Sequence, residues 1–461
     1  MLKVSKDFFD VSALKQLAYT YGLVRLNSDS SASPLSIVLN PKQLQEKHHQ
    51  ELLKAAKQYH DLLAIQYNSV DKLLKIVKDL KFEDPYLQTI ISLVEQNTQK
   101  NKTDPIIIRN DFMLNQNFGG FKQIENNLAA VSMTTRAFDL TKLLNHYYLG
   151  KADVPLGLTN IAFEKQLNFL KECALREDIN DGWFLTLTED DNANGIELMK
   201  IESGLQALGV KSFTIKISEI NSESWLVDSN NVLQVKGRPI AFVYSRTFYN
   251  HIYLTKDTIP FFLAAQNSLT PIMPSPTFLF VNSKQIQYIC ASKKLLSKYG
   301  LENIARHPFQ SFMNQMMSLK IEFEGSIQKL KDGIKDPKAY IFKGFAEGGM
   351  ADIVPFEELD SFLAKEPNFL DRVILVEKNM PPPEPSFFLK NGEIIEDPST
   401  IGEFGVYSQL VLKKEENGEF QRQNEQVWDL LLRTKSAATS KGGIMVSAAG
   451  IDSFFLEYEH K

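Results

Sequence analysis

Cysteine is nearly missing from this chain: its 461 residues hold two, Cys173 and Cys290, far apart in sequence. A disulfide framework is excluded, and no C-x-x-C pair is available for a structural zinc or a thiol redox centre. Histidine is sparse and scattered, seven in all, with no H-E-x-x-H stretch, so a helical zinc site has no support. Neither G-x-x-x-x-G-K-[ST] nor a G-x-G-x-x-G following a strand occurs, which removes two common glycine-rich phosphate cradles. Charge of one sign is lacking as well. A net charge of −5 gives no general pull toward nucleic acid or an anionic membrane, and neither is expected as a partner. The most apolar region, 259–281, is broken by Pro271, Pro274 and Pro276 and does not read as a membrane span. The opening residues, Met1-Leu-Lys-Val-Ser-Lys-Asp7, lack the apolar core of a secretion signal, so a cytoplasmic protein is expected.

What remains is ordinary for a large globular protein, 43% hydrophobic and 23% charged, with ample material for a core. At about 150 residues per domain the length predicts two or three domains, or one with insertions. The spacing of Leu52, Ala56, Tyr59 and Leu63, continued by Leu73, Ile76, Val77 and Leu80, predicts helices over 41–80. Pro105-Ile-Ile-Ile-Arg109 reads as a buried strand ending in a charge, 121–127 as a second strand, and 135–148 as a helix. From about 182 to 281 strand and helix patterns alternate, with Gly209 placed to cap a helix and a hairpin around Ser229-Asn230-Asn231. This predicts a compact α/β unit inserted into a larger body. A long helix is expected from 308 to about 330, then apolar strands near 340–343 and 373–377 and an alternating strand over 404–413.

Several segments carry chemistry. Tyr340-Ile-Phe-Lys343-Gly-Phe-Ala-Glu347-Gly348-Gly349 delivers a lysine from a strand into a loop with a carboxylate and paired glycines. Lysine suits phosphate, a carboxylate suits Mg²⁺, and glycines let backbone N–H groups approach an anion. Glu125 and Asn127, two apart on a strand, share a face and offer two hard oxygen donors. Arg109 and Arg246 both follow apolar strands, where ligands collect in α/β sheets. Leu431-Leu-Arg433-Thr-Lys435 precedes a small-residue loop containing Gly442 and Gly443. Taken singly, each of these also suits a solvated strand end or a surface loop.

Taken in order, the segments resemble eukaryotic-type glutathione synthetase, an ATP-grasp ligase family, from about Asn40 to Asp452. The most specific matches are Arg109-Asn-Asp111-Phe-Met, Lys122-Gln-Ile-Glu125-Asn-Asn127, Lys343 with Glu347-Gly348-Gly349, Phe404-Gly-Val-Tyr407, and Arg433-Thr-Lys435 with Gly442-Gly443. The resemblance implies an α/β (α+β) ATP-grasp fold: residues 1–181 as N-terminal helices and body, 182–287 as an inserted parallel α/β substrate-binding domain, and 288–461 as the ATP-grasp domain with its lid. It implies that ATP phosphorylates the cysteinyl carboxylate of γ-glutamylcysteine and that glycine displaces the phosphate. It assigns Mg²⁺ to Glu125, Asn127 and Glu347, and ATP phosphates or adenine to Lys293, Lys343 and Lys435. Gly348 and Gly349 would lie in the lid, and Val376, Glu377, Lys378 and Asn379 would form the adenine-side strand and hinge. Arg109 would sit at the reacting carboxylate, with Ser132, Asn194, Arg246 and Tyr249 on the dipeptide. Arg433 would take the glycine carboxylate, beside Ile444 and Met445. A homodimer is implied.

The chain departs from the family pattern at Ala130, Leu198 and Asn192-Ala193-Asn194 near the dipeptide, and at Met350-Ala351-Asp352, Thr400 and Lys441 near the nucleotide. Two alternatives stay open: a related ligase with another acceptor such as β-alanine or serine, and an inactive nucleotide-binding paralogue.

Overall fold

The computed structural model describes the chain apart from residues 1–4, 28, 30, 83, 98–102, 116–118, 152–156, 346–352, 440–442, 445–446 and 458–461, and the side chain at 320. Its centre is a seven-stranded sheet. Four neighbouring strands carry the polar residues of interest, and we name them by these: the Arg433 strand (Phe420–Ser436), the Glu403 strand (Glu393–Lys414), the Arg109 strand (Thr103–Asn115) and the Glu125 strand (Gly120–Asn127), in that order and all antiparallel. Gly450–Asp452, Ile37–Val38 and Glu384–Lys390 complete it beyond the Arg433 strand. A helix over Glu46–Asn68 buries Leu52, Ala56, Tyr59 and Leu63 against this sheet. It starts later than its periodicity suggests, because Lys42–Gln45 pairs as a strand with Phe454–Glu457.

The Arg109 strand does not end at Arg109 as expected from the apolar run. It continues to Asn115, because Arg109 pairs with Asp111 on the same strand, and Asn110 and Asp111 find partners across it, which makes their burial tolerable. Arg433 is likewise inside a strand rather than at the end of one.

The segment after residue 182 is a parallel sheet in the order Ser212–Lys216, Trp183–Thr188, Arg238–Ser245, with Ile272–Met273 also paired to the last of these. The crossover helix Gly195–Ala207 ends before Gly209, whose φ of +83° suits glycine. Arg246 follows the carboxyl end of Arg238–Ser245, where ligands gather in such sheets.

A third sheet is antiparallel: Met316–Met317, Val373–Glu377, Tyr340–Gly344 and Ile353–Pro355. It has its own apolar cluster, including Leu330, Phe342, Val354, Phe356 and Phe369, with Phe342 and Phe356 stacked at 5.5 Å. The long helix expected over 308–330 is replaced by short pieces. Met316 and Met317 pair with Val376 and Leu375, and Gly325 at φ +74° separates Leu319–Glu322 from Ile327–Gly333. Strand pairing there outcompetes local helical preference.

Asp104, near the start of the Arg109 strand, is buried and accepts hydrogen bonds from Tyr67 (2.5 Å) and Ser275 (2.6 Å). Burial pushes its carboxyl up to about 7, against the opposing effect of the two hydroxyls. The folded chain therefore holds this proton more tightly than the unfolded chain does. The corresponding stability is present in acid and is lost as pH rises from about 4 through 7. Asp104→Asn should flatten that decline, leaving the variant more stable than wild type at about pH 8 by on the order of 2 kcal/mol. Thermal melts across this range check it; parallel wild-type and variant curves would refute it.

Candidate active site

A cavity of about 440 Å³ lies between the central sheet and the antiparallel sheet. Its apolar lining includes Met113, Ile341, Ile353, Val376, Met380 and Ile401, and its ionic lining Glu125, Lys284, Lys343, Glu403, Arg433 and Lys435. Glu377, Lys378 and Asn379 also line it. Asn379 accepts from Asn115 (2.9 Å), and its own amide nitrogen is buried with no partner among the described residues.

Strand geometry explains the ionic cluster. Lys343 and Glu125 come from strands of different sheets, and the Lys343 ammonium donates to the Ile124 carbonyl at 3.1 Å. Lys284, first residue of the helix Lys284–Ala291, reaches Glu125 at 3.4 Å. Burial pushes the Glu125 carboxyl up, but Lys284, Lys343, Arg433 and Arg109 together outweigh it and hold the group below the usual range. Lys343 and Lys435 are both held below the ordinary lysine range by burial, which the nearby carboxylates Glu125 and Glu403 only partly offset. Burial disfavours the charge of both ammonium groups, so an anion placed beside them would stabilise that charge.

Arg433 extends the cluster into the sheet. Its Nη2 donates to Asp111 at 2.8 Å and also to Glu403, its cross-strand neighbour. Asp111 is fully buried and accepts from Arg109 Nε (2.8 Å) and Nη2 (2.9 Å) and from Asn127 Nδ2 (2.8 Å) as well. Gly405 makes room. A Cβ there would lie 2.7 Å from Asp111 Oδ1 and 2.9 Å from Arg109 Cδ.

The loop 130–133 is clamped from both sides. Arg109 (3.4 Å) and the Tyr407 hydroxyl (2.6 Å) donate to the Ser132 carbonyl, while Arg246 donates to the Val131 carbonyl and to the Tyr244 hydroxyl (3.0 Å). Ala130 and Met133 take φ of +49° and +79°, a left-handed backbone of the kind stored at functional sites. Behind it, Asn194 donates to the buried Glu197, and the wholly buried Arg136 donates to Asn194 (3.4 Å) and the Gly22 carbonyl. Tyr249 donates to Glu189. Leu198 is buried, and the Thr400 hydroxyl is taken up by the Glu384 carbonyl (2.6 Å).

Of the residues picked out from sequence, Glu125, Lys343, Val376, Glu377, Lys378, Asn379, Arg433 and Lys435 line the cavity. Arg109 and Asn127 join them through Asp111, and Ser132 and Arg246 through the clamped loop. Lys293 does not belong to the group. It is exposed at the start of the short helix Lys293–Lys298, and the lysine lining the cavity is Lys284. Ile444 is buried next to the cavity-lining Gly443. Glu347, Gly348, Gly349 and Met445 lie outside the described residues. Sequence reading also passed over Asp111 and Glu403. Asp111 carried a signal, since two residues on from Arg109 it must share a strand face; Glu403 and Lys284 carried none.

The donor set fits a magnesium nucleotide. Glu125 supplies a carboxylate oxygen in the cavity wall, and the amide oxygen of Asn127, whose nitrogen donates to Asp111, is a second hard donor that would suit a cation. Among the described residues no cluster of three acidic, histidine or cysteine ligands occurs, so phosphate oxygens and water would complete the sphere. Because an anion beside Lys343 opposes the burial that depresses it, titrating inorganic tripolyphosphate at alkaline pH should take up protons. The observed heat should then vary with the buffer's ionisation enthalpy, and less so in Lys343→Met. Equal heats in all buffers would refute it.

The family model described as the eukaryotic glutathione synthase ATP-binding domain matches residues 6–456. The chloroplastic glutathione synthetase of Solanum lycopersicum is 23% identical over 436 residues, spanning 91% of this chain and 77% of that protein. The chloroplastic enzyme of Arabidopsis thaliana is 22% identical over 390 residues, spanning 81% and 69%. Among solved structures, a glutathione synthetase-like effector from Globodera pallida in its apo form matches with a TM-score of 0.73 at 16% identity, over 99% of this chain and all of that one. That likeness bears on fold alone, a mixed α/β body with an added parallel unit. With a family match running almost end to end over residues that converge on one cavity, the chain belongs to the eukaryotic glutathione synthase family.

Proposed function

We propose that the protein is an ATP- and Mg²⁺-dependent ligase that joins γ-glutamylcysteine to glycine, giving glutathione, ADP and phosphate. The observation that carries this reading is the contiguity of the cation-lined cavity with the Arg109–Asp111–Arg433 network. A triphosphate end and two carboxylate-bearing substrates meet there. Lys284, Lys343 and Lys435 hold phosphate oxygens, and the apolar lining from Met113 to Ile401 takes the base. Arg109 holds the carboxylate to be activated, while Ser132, Asn194, Arg246 and Tyr249 seat the rest of the dipeptide. Arg433 receives the carboxylate of glycine. Glu125 and Asn127, with Glu347, hold Mg²⁺, which when bound neutralises charge building up on the phosphates. The antiparallel sheet, with its separate apolar cluster, closes over the site and keeps water from the acyl phosphate. A cytoplasmic homodimer belongs to the same proposal and rests on the resemblance; the plant relatives bear chloroplastic names. Among the described residues no helix is long and apolar enough to cross a membrane.

One observation favours a second reading, a different small amine as acceptor. The acceptor end is lined by the side chain of Ile444, which is buried beside the cavity-lining Gly443 and bulkier than a glycine site needs. Mass spectrometry of products from ATP, γ-glutamylcysteine and mixed glycine, β-alanine and serine decides between them. Phosphate release should require all three reactants, and absence of any ligated product overturns the ligase reading. Lys284→Met should weaken binding of a non-hydrolysable ATP analogue by about tenfold or more, whereas Lys293→Met should leave it unchanged. Calorimetry checks both, and the reverse pattern would show the cavity is misassigned.

A further inference from the structure

Asp111 spends a buried charge in the middle of a sheet. A carboxylate without solvent is costly, and an apolar group of similar size is often neutral or better for stability. Its three partners are the two arginines and the amide assigned above, on the ligase reading, to three different ligands. Arg109 faces the dipeptide, Arg433 the acceptor and Asn127 the metal. Asp111 Oδ2 alone accepts from all three, at 2.9, 2.8 and 2.8 Å, while Oδ1 takes the second arm of Arg109 at 2.8 Å.

The sheet is built to let this happen. The Arg433 and Arg109 strands are not neighbours; the Glu403 strand lies between them. Second-neighbour strands stand about 9–10 Å apart, and a side chain on the intervening strand would ordinarily separate them. The residue opposite both Asp111 and Leu431 in that strand is Gly405, and a Cβ there would collide with Asp111 and Arg109.

From this geometry, and resting on the ligase reading, we propose that Asp111 is the positioning residue for the ligation. It ties Arg109 and Arg433 to one oxygen and so fixes the separation at which the activated carboxylate and the acceptor are presented to each other. Held this way, the amine approaches the carbonyl carbon from a set direction, which is where proximity and orientation act on the rate. Asp111 touches no reacting atom. Its effect runs through the two guanidinium groups and Asn127.

Asp111→Asn keeps the shape but turns an amide N–H group toward donors. We expect KM for γ-glutamylcysteine and for glycine to rise together, each by about tenfold or more, with kcat falling and affinity for a non-hydrolysable ATP analogue changed less than about twofold. Gly405→Ala removes no charge and keeps a permitted backbone, yet presses on Asp111 and Arg109; KM for the dipeptide should rise several-fold there. A purely structural role lowers the melting temperature and the active fraction while leaving both KM values of the folded protein in place. That result in either variant, or a rise in only one KM in Asp111→Asn, would overturn the proposal. Calorimetric titration of γ-glutamylcysteine without ATP separates this from the ligase reading. A wild type that binds dipeptide without ligating it ends the ligase reading and the positioning role with it. A wild type that ligates, beside an Asp111→Asn protein binding both substrates normally, ends this proposal alone.

Discussion

A carboxylate sealed inside a β-sheet persists only when donors surround it, because desolvation of an unpaired charge costs more than most domains can spare. Asp111 meets that condition through two arginines and an amide drawn from three strands. The rest of the site follows from holding those donors still. The Glu403 strand has to pass between them, and it does so with glycine at the crossing point. Arg109 in turn steadies the Ser132 carbonyl, and Arg246 steadies Val131. The loop between them keeps left-handed backbone at Ala130 and Met133 because it is gripped at both carbonyls.

The cavity beside this network gathers buried charges of both signs. Burial depresses Lys343 and Lys435, and Glu125 is drawn below its ordinary range by the cations around it. Perturbed ionisable groups gathered in one cavity are what a binding site for charged ligands displays. The antiparallel sheet that contributes Lys343 and Val376 packs on its own apolar cluster. Its other face, through Met316, Ile374 and Val376, joins the main core.

Much of the fold was legible because its signals are local. The Glu46–Asn68 helix announces itself by stripe, the parallel unit by apolar runs punctuated with Gly209 and a polar hairpin, and the Lys343 strand by its composition. What was not legible depends on contacts distant in sequence. Nothing local tells that Met316 and Met317 will pair with Leu375 and Val376, so a helix was expected through them. Nothing local tells that Lys284 rather than Lys293 faces Glu125, because the choice is made by how one short helix docks. Arg109 seemed to end its strand because charge after an apolar run usually marks the surface, and only the strands on either side reveal a buried ionic layer.

That layer also fixes the register of the sheet. Along the Arg109 strand, Ile106, Ile107 and Ile108 are buried on both faces, so alternation there does not by itself specify which face is which. The next three residues do. Arg109 and Asp111 point toward the site, while Asn110, between them, points away and donates to Asn126 at 2.5 Å. Asn126 in turn lies between Glu125 and Asn127, whose side chains share the site face. A slip of one residue would therefore carry Asn110 into the arginine cluster and bury Arg109 and Asp111 in apolar surroundings on the far side. Each face thus has a polar lock that the other cannot satisfy. The same ionic residues that shape the site make the wrong pairing of these two strands far costlier than any wrong pairing of isoleucines would be.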